Sequence, residues 1–144
     1  VPAAVRLSGT IRSLRPEVRK GLAEGLRRIA ETVPAAFGAT GRFDFHPGYP
    51  ATVNSAAEAE LAARVAAEVV GPANVGEAKP SMGAEDFAYM LNARPGAYLF
   101  LGQAGAAGGC MVHNPGYDFN DAILPVGASF WARLVETALP APPR

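Results

Sequence analysis

From Ala4 to Arg12 the chain alternates: Val5, Leu7 and Ile11 share one face with Gly9, and Arg6, Ser8, Thr10 and Arg12 share the other. A period of two predicts a half-buried strand. The period then changes. Val18, Leu22, Leu26, Ile29, Val33 and Phe37 recur at three- and four-residue spacing, behind Ser13 as an N-cap and Pro16 and Glu17 for a first turn. This predicts one long amphipathic helix. Its other face carries Arg19, Lys20, Glu24, Arg27, Arg28 and Glu31 and reads as solvated surface. Gly38 and Gly41 end the helix, and Arg42 to His46 alternate again with Phe43 and Phe45 inward.

The stretch His46 to Asn54 has two prolines and no period, so it reads as a connector between structural units. Beyond it, Ser55 with Glu58 forms a capping-box pattern, Leu61, Val65 and Val69 line one face among alanines, and Gly71-Pro72 stops the helix. Asn74 to Lys79 has room for a short strand. A turn at Ser81 to Ala84 precedes a short helix with Phe87, Met90 and Leu91 inward, and the apolar run Ala97 to Leu101 predicts a strand covered on both faces. A glycine-rich loop follows, then His113-Asn-Pro-Gly-Tyr-Asp-Phe, then a helix from Leu124 to Leu139 burying Phe130, Trp131, Leu134 and Val135. The tail Pro140 to Arg144 is expected to be disordered. The fold class expected from this order is α/β. The first strand-helix-strand module cannot close a core alone, because it leaves a sheet face and edges unpaired.

Composition removes several classes of function. Thirteen basic and thirteen acidic residues cancel, so net charge gives no argument for nucleic acid or an anionic membrane. No apolar run reaches the roughly 18 residues of a membrane span, and no secretory leader pattern opens the chain. The single cysteine, Cys110, excludes an intrachain disulfide and fits a reducing, cytoplasmic setting. A chain that starts at Val with a strand already under way is expected to be a piece of a longer polypeptide.

Candidate chemistry centres on His113, one of two histidines. It can be a metal ligand, a general base or a structural residue, and the glycines before it and Asn-Pro-Gly after it favour a site. Zinc needs three or four N, O or S ligands, and the chain has neither HExxH nor paired cysteines; Cys110 and His113 as Cys-x-x-His are a weak zinc signal. Glu85 and Asp86 suit the start of a short helix, while Gly83 before them would let backbone approach a ligand. Arg12 is either a solvated side chain or a bidentate clamp for a carboxylate. The Gly102 to Gly109 loop lacks a following Lys-Ser or Lys-Thr, which makes it a weak phosphate cradle. His46 reads as exposed and incidental.

Five ordered motifs then give a resemblance: GTIRS at residues 9 to 13, GYPATVN at 48 to 54, PSMGAEDFAYML at 80 to 91, PGAYLFLG at 95 to 102 and HNPGYDFNDAILPVG at 113 to 127. Together they resemble the C-terminal half of the metal-dependent amidohydrolases and carboxypeptidases that include hippurate hydrolase, N-acyl-amino-acid amidohydrolases and indole-acetyl-amino-acid hydrolases. The resemblance implies an aminopeptidase-like catalytic domain with two divalent ions, zinc, manganese or cobalt, interrupted by a ferredoxin-like lid that forms a homodimer. It implies that residues 1–53 are the second half of the lid and 54–144 the C-terminal part of the catalytic domain. It assigns His113 to the metal, and Arg12 and Gly83 to the substrate, a small N-acyl amino acid. The other ligands and the general base are expected upstream, in an N-terminal half, so that Glu85 is not the base and this chain alone is inactive. The alternative is a non-catalytic dimerisation or interaction module of the same fold.

Overall fold

The structure, a computed structural model, describes residues 2–103 and 110–139. The tail at 140–144 and most of the glycine-rich loop, with the phosphate-cradle reading attached to it, lie outside the described residues.

Helix α1 spans Pro16–Ala36, α2 Ala56–Val70, α3 Phe87–Ala93 and α4 Leu124–Ala138, with single 3-10 turns at Pro72–Asn74 and Asp121–Ile123. Each helix lies where the periodicity puts one. Pro16 opens α1 at a position whose N–H has no intrahelical acceptor anyway. The cap itself differs from expectation: Arg15 occupies the N-cap without a side-chain bond, and the Ser13 hydroxyl donates to the Arg15 carbonyl instead. At α2 the N-cap is Ser55, yet its hydroxyl turns away from the helix and accepts from the Gly96 N–H. Gly71, with φ of 82°, ends α2 in a conformation that disfavours other residues.

The expected strands do not form. Among the described residues there is no strand at 4–12, 42–46, 74–79 or 97–101. The α/β expectation is therefore met in its helices only. A strand exists through its ladder, and these segments find no ladder partner among the described residues. Ala97 to Leu101 is not covered on both faces either: Leu99, Phe100 and Leu101 are exposed. One edge of this run is nonetheless engaged. Asn54 donates its amide to the Tyr98 carbonyl at 2.9 Å and accepts from the Tyr98 N–H at 2.8 Å, so a side-chain amide imitates a peptide unit of a neighbouring strand.

The chain divides into two compact units, Val1–Val53 with Pro80–Ala93, and Asn54–Lys79 with Arg94–Arg144. In the first unit, the apolar stripe of α1 is not buried: Val18, Leu22, Leu26, Ile29 and Val33 are all exposed. Both backbone and side chains tie α1 to the residues after it. Pro34 sits inside the helix and has no N–H to give the Ala30 carbonyl. Gly41 folds back onto that carbonyl so closely that any Cβ would clash with it and with the Pro34 ring. Phe43 and Phe45 stack at 6.3 Å, and the Arg27 guanidinium lies 5.3 Å from the Phe43 ring centre. Arg19, expected to be solvated, donates to the Tyr49 carbonyl at 3.0 Å, and Tyr49 meets Tyr89 edge to face. In α3 the fully buried residue is Ala88, while Met90 is exposed.

In the second unit α2 packs on α4. Ala62 and Val65 of α2 are buried, and Arg133 of α4 bonds Glu68 of α2 at 2.6 Å. The buried side of α4 was only half anticipated, because Phe130 and Leu134 are partly covered whereas Trp131 and Val135 are exposed. No helix among the described residues is long and apolar enough to cross a membrane.

Candidate functional site

His113 belongs to the second unit, in a stretch built from consecutive turns. The Asn114 N–H donates to the Met111 carbonyl at 3.1 Å, and the Tyr117 N–H donates to the Asn114 carbonyl at 2.9 Å. The Asn114 side chain accepts from the Gly116 N–H at 2.8 Å, an Asx turn across Pro115. Between them His113 adopts φ of 70°, the only positive φ at a non-glycine among the described residues. A left-handed histidine costs on the order of 1–2 kcal/mol against its ordinary backbone. Nothing gained in packing offsets it, because the side chain is exposed. The imidazole is exposed on a loop whose hydrogen bonds are made by other residues.

Two of those residues give no local signal in the sequence. Gln103, before the glycine-rich loop, accepts from the Asn120 N–H at 3.2 Å and so ties the start of the segment to its end. Asn120 then caps the following turn, accepting from the Ala122 N–H at 3.1 Å. Tyr117 and Phe119 meet edge to face at 5.0 Å. Cys110 is half-buried, and a Cβ added at Gly116 would lie 3.6 Å from its sulfur.

Arg12 and Gly83 both lie in the first unit. An Arg12 Nη1–H donates to the carbonyl of Met82, the residue before Gly83. Gly83 itself has no internal reason to be glycine: its φ is not left-handed, and an added Cβ would meet only the Ser81 hydroxyl at an ordinary 3.5 Å. Glu85 and Asp86 stand just before α3, where their carbonyls accept from the Ala88 and Tyr89 N–H groups. A cleft of about 290 Å³ in the same unit is lined by Pro16, Arg19, Lys20, Glu24, Arg27 and Phe45. None of Arg12, Gly83 or His113 lines it, and its cations already have partners in the Tyr49 carbonyl, Glu24 and Glu31.

Among the described residues no three histidine, cysteine or carboxylate side chains come together to hold a metal ion. His113 can supply one imidazole, and Cys110 adds no second cluster. These residues therefore do not make a metal site by themselves.

A family model described as peptidase family M20/M25/M40 matches residues 9–137. N-acetylcysteine deacetylase of Bacillus subtilis is 29% identical over 143 residues, covering 96% of this chain and 35% of the relative. Thermostable carboxypeptidase 1 of Saccharolobus solfataricus is 33% identical over 131 residues, 89% of this chain and 33% of the relative. Hippurate hydrolase of Campylobacter jejuni is 28% identical over 135 residues, 93% of this chain and 34% of the relative. The chain thus spans about a third of the length of these relatives. No solved structure matches it. The family match runs from the strand-like segment carrying Arg12 through nearly all of α4, and on that ground the chain belongs to peptidase family M20/M25/M40.

Proposed function

We propose that these residues belong to a metal-dependent hydrolase that cleaves the amide bond of N-acyl amino acids of the hippurate type. The observation that carries this reading is His113: exposed, left-handed, and fixed by Asn114, Gln103 and Asn120 rather than by its own packing. Strain kept at an exposed imidazole points to a use for that imidazole. The names of the relatives point to amide hydrolysis next to a carboxylate-bearing residue. In this reading His113 is one metal ligand, Arg12 grips the substrate carboxylate and Gly83 lies against the substrate backbone. Bound divalent ions, two of zinc, manganese or cobalt, supply an activated water and polarise the scissile carbonyl. The remaining ligands and the general base come from residues outside this chain, and the 144 residues alone are inactive.

We place residues 1–53 in a lid that also forms a homodimer, and 54–144 in the catalytic domain. The exposed stripe of α1 supports the first placement, since such a stripe calls for a sheet to cover it. The test is His113→Ala in the full-length protein, assayed for hippurate and N-acetyl amino acid hydrolysis alongside metal content. Activity is expected to fall by more than about 100-fold with unchanged circular dichroism. Near-normal turnover would remove His113 from the metal and the reading with it.

A further inference from the structure

Residues 76–84 form neither helix nor strand. Among the described residues a single hydrogen bond reaches them, from Arg12 to the Met82 carbonyl, across 70 positions of sequence. The peptide that receives it is the one that carries the Gly83 N–H, so fixing the Met82 carbonyl also fixes the direction of that N–H. Arg12 is exposed and makes no ion pair among the described residues. A guanidinium presents five N–H donors in one rigid plane. With one donor on Met82, the others remain for a second acceptor, and the plane that holds the first dictates where the second must lie.

We propose that Arg12 is a positioning residue for the Met82–Gly83 loop, and that carboxylate capture and loop placement pass through this one guanidinium. The second half of the statement rests on the function proposed above; the first does not. A lysine at the same position brings a point charge on a flexible stem and no shared plane, so it can attract a carboxylate without orienting Gly83.

The test pairs two measurements. In the full-length protein, NMR relaxation at the Gly83 amide and the Met82 carbonyl carbon shift are compared among the unsubstituted protein, Arg12→Ala and Arg12→Lys, with Arg6→Ala as the control for losing a nearby positive charge. The Gly83 order parameter is expected to fall below about 0.6 in both Arg12 variants and to hold in Arg6→Ala, with α2 unchanged in all. In the full-length protein, with hippurate as the probe, Arg12→Ala is expected to raise KM and also lower kcat by about tenfold, while Arg12→Lys recovers KM in part and leaves kcat low. A Gly83 that stays as ordered in Arg12→Ala as in the unsubstituted protein overturns the inference, and a raised KM beside it leaves the functional reading intact. Lost order at Gly83 with both kinetic constants unchanged overturns the coupling and removes Arg12 from the substrate site.

Discussion

Helices α1 and α2 carry equally regular apolar stripes, and they end in opposite conditions. Val65 of α2 is 0% exposed against α4, whereas Val33 of α1 is 51% exposed. The difference lies in what the described residues offer as a partner. Helix α2 has α4 to pack on, with Arg133 reaching across to Glu68, and its neighbouring Asn54 and Ser55 hold residues 96–98 alongside. Helix α1 is flanked by two segments with strand-like patterns that form no strand, so its stripe has no sheet to lie on. An amphipathic period shows that a face is meant to be covered; it does not say whether the cover is in the same chain. In α1 the constraints that remain are the Arg19 and Arg27 contacts to Tyr49 and Phe43 and one close approach of backbone, Gly41 over the carbonyl that Pro34 leaves without its helical donor.

The sharpest way to break this comparison is to attack each region at its own constraint. Gly41→Ala forces a Cβ onto the Ala30 carbonyl, which only a backbone shift can relieve. It is expected to cost about 3 kcal/mol, read as a lower urea midpoint in circular dichroism, with the emission of Trp131, in α4, reporting the second unit separately. Gly83→Ala meets only ordinary contact and is expected to stay within about 0.5 kcal/mol while impairing substrate binding in the full-length protein. Equal destabilisation by the two substitutions would show that Gly41 holds nothing in place.

Next in size is one substitution made twice. Val65→Ala removes fully buried methyl groups and leaves a cavity, for an expected loss of about 2 kcal/mol, visible in the Trp131 transition. Val33→Ala removes the same atoms from a half-exposed site and is expected to cost less than about 1 kcal/mol. If a partner covers α1 in the full-length protein, the second value rises toward the first there and not in this chain.

The helices were legible because their signals are local. A repeat of three and four, Pro16 to open and Gly71 to close need no knowledge of the rest of the molecule. The strands were not, because a period of two describes a surface and leaves its ladder partner unnamed. The same limit hid the polar contacts that hold the second unit and the His113 segment. Asn54 lies 44 residues from Tyr98, and Gln103 lies 17 from Asn120, so neither pairing leaves a local pattern. His113 was legible through the Asn-Pro-Gly that follows it. Its left-handed backbone was not, since asparagine and glycine were beside it to take that conformation and histidine took it instead. Replacing His113 by Gly should therefore stabilise the chain by about 1 kcal/mol, read in the Trp131 transition, while removing any function the imidazole has.

The smallest expected effect separates the two forces that join α2 to α4. Arg133 bonds Glu68 at 2.6 Å and Glu136 at 3.3 Å, with about half of its side chain still in solvent. The hydrogen bond that Arg133 donates to Glu68 holds the guanidinium pKa above its ordinary value. A base whose pKa is raised on folding contributes stability below its unfolded pKa and loses it only as pH rises through the folded one. For an arginine that loss falls beyond the alkaline range of ordinary buffers, so salt rather than base is the handle on this pair. Exposed charges are screened over roughly 3 Å at 1 M ionic strength, while the burial of Val65 does not depend on charge. Arg133→Gln is thus expected to lower the melting temperature slightly in dilute buffer and by less in 1 M sodium chloride, whereas the loss from Val65→Ala persists undiminished in both. A salt-independent loss in Arg133→Gln would mean that the arginine stem, packed along α2, joins the helices rather than its charge.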